Sequence, residues 1–92
     1  MIDIYLPTAR LELKNNKIYD YLEDMGMEYE FLPYSDFDFI LKKKQISELI
    51  DYIITTDGNR DVEMVETLTM TLTEMTLNKI KYAEFHIRWE KK

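Results

Sequence analysis

The sequence contains no cysteine, one histidine, two glycines and two prolines among its 92 residues. The lack of cysteine excludes disulfides, iron–sulfur clusters, thiolate zinc sites and a cysteine nucleophile. Two isolated glycines cannot build a phosphate-binding loop, and one histidine without cysteine cannot make an ordinary zinc site. We therefore expect no metal site, no cofactor and no enzymatic activity.

Long apolar runs and an excess of positive charge are also missing. No stretch approaches the roughly 18 apolar residues of a membrane span, and the charged N-terminus lacks the apolar segment of a signal peptide. Eighteen acidic residues against twelve basic ones give a net charge of −6, which disfavours direct contact with nucleic-acid phosphates. These features predict a cytoplasmic protein that binds neither membranes nor nucleic acid directly.

The residues that are present suffice for one folded unit. Hydrophobic residues make up 46% of the chain and aromatic residues 13%, which is enough to fill a core at this length. No linker or low-complexity stretch divides the chain. Residues 1–92 are therefore predicted to form a single domain.

The first 26 residues predict a strand and then a helix. Residues 2–6 alternate apolar and polar side chains as a half-buried strand does. After Pro7 the alternation resumes at Ala9, Leu11 and Leu13, as an extension of this strand or as a second short strand. Apolar residues at helical spacing follow, and Gly26 supplies a C-terminal stop. These helical residues are Ile18, Tyr21, Leu22 and Met25.

Residues 27–41 have the clearest hairpin pattern, with two alternating stretches around the turn Pro33-Tyr34-Ser35. One face is aromatic, and the other carries four carboxylates. The acids are Glu28, Glu30, Asp36 and Asp38. Because like charges on facing strands are destabilising, keeping four acids on one face implies a stability cost.

The second half of the chain contains one clear helix and one ambiguous segment. After the basic triplet Lys42–Lys44, residues 46–54 predict an amphipathic helix that ends at Asp57-Gly58. Residues 61–77 fit either a helix with one apolar arc or a strand with threonines at every second position. We favour the strand, since β-branched residues lose rotamer freedom in a helix.

The last strand pattern covers residues 82–89. A turn at Asn78-Lys79 would pair it with the favoured strand over residues 61–77. The predicted pairs are Leu72 with Phe85, Met70 with Ile87 and Leu68 with Trp89.

Together these elements predict an α+β fold. Two helices lie on one face of an antiparallel sheet, in the ferredoxin-like order βαββαβ with an added C-terminal strand. If residues 61–77 are helical, the order becomes βαββααβ with the same layers. The predicted core consists of Ile4, Leu22, Phe31, Phe37, Phe39, Leu49, Ile53, Phe85, Ile87 and Trp89.

The segment from Ile18 to Leu41 has the strongest functional pattern, with seven carboxylates, no basic residue and seven of the twelve aromatics. Alternate strand residues are about 6.6 Å apart, a spacing similar to that of phosphates along one nucleic-acid strand. A solvated face on a generally acidic chain would give the same composition. The candidate partner-binding residues are Asp20, Glu23, Asp24, Glu28, Glu30, Asp36 and Asp38, together with Tyr29 and Tyr34.

We therefore expect a non-catalytic module whose acidic surface occupies the basic nucleic-acid-binding groove of a partner protein, a nucleic-acid-handling enzyme. In size, acidity and lack of cysteine, the chain resembles phage-encoded inhibitors of host defence, including anti-CRISPR and DNA-mimic proteins. The alternative is a small structural or regulatory homo-oligomer, such as a homodimer, in which a sheet edge or the threonine-rich strand pairs with a second copy.

Overall fold

The chain order is ββαββααβ in the computed structural model, which describes residues 1–57 and 61–89. The strands are β1 (Ile2–Tyr5), β2 (Arg10–Leu13), β3 (Glu30–Phe31), β4 (Phe39–Lys42) and β5 (Tyr82–Ile87). The helices are α1 (Lys17–Asp24), α2 (Lys43–Asp57) and α3 (Val62–Leu77). The predicted α+β class is confirmed. Apart from β2, the order is that of the helical alternative, βαββααβ.

The five strands form one antiparallel sheet in the order β2-β1-β5-β4-β3. The direction of β5 follows from the two helices before it. Since α2 carries the chain away from the end of β4 and α3 brings it back, β5 can pair antiparallel with β4 as its direct neighbour. A single connecting helix would have delivered a strand parallel to β4.

The preference for a strand over residues 61–77 is wrong, because these residues form α3. Its buried side chains recur at intervals of three and four residues, as on one face of a helix. The hydroxyls of Thr71, Thr73 and Thr76 donate to carbonyl oxygens four residues earlier, at 2.8, 2.9 and 2.9 Å. Such bonds satisfy the hydroxyl groups inside a helix. The buried residues are Met64, Leu68, Thr71 and Met75.

The predicted pairing of residues 68–72 with the last strand is therefore also wrong. Phe85 lies opposite Ile4 on β1 and opposite Phe39 on β4. Asn78 and Lys79 do form a turn, but this turn connects α3 to β5.

Two local predictions near the N-terminus are confirmed. The resumed alternation after Pro7 is a second strand, β2, which pairs with β1 so that Ile2 lies opposite Leu13. Gly26 follows α1 with φ of 65°, a left-handed conformation that glycine adopts without a Cβ clash. Its N–H donates to the carbonyl oxygen of Glu23 at 3.0 Å, which ends the helix.

The start of α2 is fixed by Gln45. Its Oε1 accepts the N–H of Lys42 at 2.8 Å, as in a capping box, and its Nε2 donates to the carbonyl oxygen of Glu28 at 2.9 Å. The basic triplet is thus divided between the end of β4 and the first turn of α2. The helix ends at Asp57 as predicted, and Gly58 lies outside the described residues.

The core lies between the three helices and one face of the sheet, where the rings of Phe39 and Phe85 stack at 5.0 Å. Six predicted core residues are buried, and Ile87 is half-buried. Placing Phe31, Phe37 and Trp89 in the core is wrong, since they are 49%, 48% and 66% exposed. Phe31 lies on the two-residue edge strand β3, and the other two lie just beyond the ends of β4 and β5. The buried six are Ile4, Leu22, Phe39, Leu49, Ile53 and Phe85.

Candidate functional site

The β3–β4 hairpin keeps the predicted alternation but does not place its acids opposite one another. Glu30 lies opposite Ile40, and Phe31 lies opposite Phe39. The N–H of Leu32 donates to the carbonyl oxygen of Asp38 at 2.8 Å, so the residue across the hairpin from Asp38 is a leucine and not an acid. Glu30 and Asp38 share a face but are displaced along it. The expected repulsion between directly facing acids is therefore absent.

Asp38 is engaged inside the protein. Its Oδ1 accepts the N–H of Ile87 at 3.0 Å, and its Oδ2 lies 3.3 Å from Nδ1 of His86. The backbone before it is held by Ser35, whose hydroxyl oxygen accepts the N–H groups of Phe37 and Asp38 at 3.2 and 2.8 Å. The carboxylate thus continues the contact between β4 and β5 beyond their last paired residues.

His86 lies between two carboxylates on the sheet face opposite the core. Its Nε2 is 3.0 Å from Oε1 of Glu84, while Nδ1 faces Asp38. The edge of its ring contacts Tyr5, with the ring centroids 4.9 Å apart. Both ring nitrogens are therefore occupied by neighbours within the sheet.

A second charged cluster on the same face surrounds Asp3, which is only 5% exposed. Arg88 donates from Nε to Asp3 at 3.1 Å and from Nη2 to both Asp3 and Glu12, the latter at 2.9 Å. Arg10 adds a bond to Asp3 at 3.3 Å. The bonds from Arg88, with the charge of Arg10, hold the pKa of Asp3 below its ordinary value. Its residues come from β1, β2 and the position just after β5, so strand register was needed to find this cluster.

The six remaining candidate carboxylates are exposed, and we call them the acidic surface. Three of them recur at positions i, i+3 and i+4 along the outer side of α1, two lie in or just before β3, and one lies in the β3–β4 turn. Within residues 1–57 and 61–89, no ion pair involves any of the six. The acidic surface consists of Asp20, Glu23, Asp24, Glu28, Glu30 and Asp36.

The two candidate tyrosines border the acidic surface in different ways. Tyr34 is fully exposed in the β3–β4 turn, with φ of 66°, a conformation that costs a non-glycine residue about 1 kcal/mol. Tyr29 is half-buried, with its ring centroid 5.3 Å from that of Phe31. Burial and the negative charge of Glu23 raise the pKa of Tyr29. This ring therefore joins the acids of α1 to the aromatics of the hairpin.

Four exposed aromatics lie beside the acidic surface, and three of them were expected in the core. The rings of Phe37 and Trp89 meet edge to face, with centroids 5.3 Å apart. The hydroxyl of Tyr19 donates to the carbonyl oxygen of Phe37 at 2.8 Å and ties the turn to α1. We call Phe31, Tyr34, Phe37 and Trp89 the aromatic patch.

A buried polar cluster joins α1 to the α2–α3 junction. The hydroxyl of Tyr21 lies within hydrogen-bond distance of Oδ2 of both Asp57 and Asp61. Burial, followed by the two carboxylates, raises the pKa of Tyr21. This contact could not be predicted from the sequence, because Tyr21 lies 36 residues from Asp57 and 40 from Asp61.

We predict that Tyr21→Phe lowers the free energy of unfolding by about 1–3 kcal/mol, because the buried carboxylate of Asp61 loses a hydrogen-bond donor. Urea denaturation measures the change. The matched control is Tyr34→Phe, which removes an exposed hydroxyl and should change stability by less than about 0.5 kcal/mol. Equal effects in the two variants would contradict the structural role of the Tyr21 hydroxyl.

Other kinds of site have little support in residues 1–57 and 61–89. Within these ranges, no group of three or more His, Asp or Glu side chains is placed to hold a metal ion. The helices described are too short or too polar for any of them to cross a bilayer. Glu28 and Glu30 line an open groove of about 320 Å³ with Lys42 and Gln45.

Comparisons with protein-family models, curated proteins and solved structures find no match to the chain.

Proposed function

We propose that the protein is a non-catalytic binding module whose acidic surface occupies a basic, nucleic-acid-binding groove of a partner protein. The observation that supports this proposal is the contrast between two sets of acids. Those on the open sheet face, such as Asp3 and Glu12, contact arginines of the same chain. Those of the acidic surface have no cationic partner among the described residues. Their charge is therefore available to another molecule.

The acidic surface is also held on ordered elements. The side of α1 opposite the acids is anchored in the core by Ile18 and Leu22. Gln45 fixes the backbone at Glu28, and pairing with β4 fixes Glu30. Because these positions are already ordered, binding loses less conformational entropy than it would with a disordered acidic tail.

Inhibition would follow from competition. The carboxylates occupy sites that otherwise hold phosphates, so the partner cannot hold its nucleic acid at the same time. Attraction between the acidic surface and a basic groove speeds association and makes it sensitive to salt. The resemblance in size and composition extends the proposal to phage-encoded inhibitors of the anti-CRISPR type.

The test neutralises three carboxylates of the acidic surface in the variant Glu23→Gln, Glu30→Gln, Asp36→Asn. The control variant, Asp51→Asn, Glu63→Gln, Glu66→Gln, removes the same charge from exposed positions on α2 and α3. Each protein is immobilised and exposed to a nuclease-treated bacterial lysate. Retained proteins are then purified and tested for displacement of a labelled oligonucleotide. We expect a basic partner whose affinity falls about tenfold or more in the first variant only, with a weaker dependence on salt.

Two results would contradict the proposal. If both variants lose affinity equally, net charge rather than the acidic surface determines binding. If the retained protein binds the oligonucleotide equally well with and without the chain, competition is wrong.

The homo-oligomeric alternative has lost one of its two supports. The threonine-rich segment is a helix, so it has no strand edge to offer a second copy. The edges of the sheet are β2 and β3. Sedimentation of the free chain over a wide concentration range would reveal self-association through these edges.

A further inference from the structure

The aromatic patch consists of four exposed large rings, three in the β3–β4 hairpin and one just after β5. Phe31, Phe37 and Trp89 are 49%, 48% and 66% exposed, and Tyr34 is fully exposed. A cluster of exposed rings is unusual on a small monomeric protein and is typical of an interaction site. Aromatic side chains also supply a large share of the binding energy at protein interfaces.

Two carboxylates of the acidic surface lie near this patch. Asp36 directly precedes Phe37 and is exposed. Glu23 lies close enough to Tyr29 for its charge to raise the pKa of that phenol. The ring of Tyr29 in turn contacts Phe31. A ligand seated on the rings would therefore have acceptors for positive charge within reach.

We propose that the aromatic patch binds arginine side chains of a basic segment of the partner protein. This inference rests on the proposed function, because it names the chemistry of the partner that the acidic surface attracts. A guanidinium group is planar, stacks on aromatic faces and donates paired hydrogen bonds to a carboxylate. A lysine ammonium is a compact, strongly hydrated charge that lacks this planar geometry. The rings therefore select arginine over lysine, whereas the carboxylates alone attract both.

The test uses an oligoarginine and an oligolysine peptide of equal length, each labelled with fluorescein and titrated at the same ionic strength. Anisotropy gives the affinities, and emission from Trp89, the only tryptophan of the chain, reports contact at the patch. We expect oligoarginine to bind about tenfold more tightly. Only oligoarginine should change the tryptophan emission.

Two variants, Phe37→Ala and Trp89→Ala, should each reduce this preference to about twofold or less while leaving the affinity for oligolysine unchanged. Trp89→Phe, which keeps a ring, should restore most of the preference. The control is Tyr82→Ala. Tyr82 is also a 49% exposed ring, but it is the first residue of β5, whereas Trp89 follows the last. It should leave both affinities unchanged. Circular dichroism checks that each variant is folded.

The outcomes separate this inference from the proposed function. Equal binding of both peptides, unaffected by the patch variants but lost on neutralising the acidic surface, would overturn the arginine site and leave the proposed function standing. Binding of neither peptide would count against both. If the free chain dimerises and Phe37→Ala makes it monomeric, the patch is instead a contact between two copies and the inference is wrong.

Discussion

Replacing Phe39 by alanine is expected to lower the free energy of unfolding by about 3–5 kcal/mol, a large part of the stability of a domain this small. Phe39 is fully buried on β4. Its ring stacks on Phe85 at 5.0 Å and meets the edges of Tyr29 and Tyr19, with centroids 5.0 and 5.4 Å away. Truncation removes all of these contacts and leaves a cavity between the sheet and α1. Chemical denaturation of the purified variant measures the loss.

Phe37→Ala is the matched control, because it removes the same ring two residues earlier, just before β4. Phe37 is 48% exposed, and its main ring contact is Trp89. We expect it to cost about 1 kcal/mol or less. A loss below 1 kcal/mol for Phe39, or an equal loss for both variants, would show that the hairpin does not pack as described.

The contrast between these two phenylalanines shows what alternation in the sequence can predict. It correctly placed Phe31 and Phe39 on the same side of the hairpin. It could not predict burial, because burial depends on which part of that side the helices cover. The sheet is five strands wide, and α1, with only two turns of helix, contacts β4 through the rings of Tyr19 and Phe39. The end of the hairpin therefore stays exposed.

The error over residues 61–77 has a different cause. Threonine propensity favoured a strand, but the apolar spacing over sixteen residues also fitted a helix. Packing decided between them, because Met64, Leu68 and Met75 all reach the core from one helical face. Three hydroxyl bonds to the backbone reduce the disadvantage of threonine. Local propensity was the weaker signal.

The candidate site was predictable in part. Seven acids were recognisable from the sequence, and six of them are exposed. Asp38 has the same spacing as its neighbours, yet it bonds to the backbone of β5. Only the pairing of β4 with β5 could distinguish it. The same limit hid the cluster around Asp3, whose partners Arg10 and Arg88 are 7 and 85 residues away along the chain.

The pH dependence of stability should report this cluster. We predict that Asp3→Asn lowers the free energy of unfolding at neutral pH by about 1.5–3 kcal/mol, because Arg88 and Arg10 lose a charged acceptor. The pKa of Asp3 in the folded protein lies below its ordinary value of 3.8. The stabilisation it provides is therefore complete above that value and is lost as the pH falls through the folded-state pKa.

Urea denaturation of wild type and Asp3→Asn at a series of pH values checks this sign. The difference between them should be constant near neutral pH and should shrink below about pH 4. Asp20→Asn is the control, because Asp20 is exposed and has no ion pair among the described residues. Its effect should stay within about 0.5 kcal/mol. If the difference for Asp3→Asn grew in acid, Asp3 would have to gain its proton more readily in the folded protein. The arginine contacts would then not govern its ionisation.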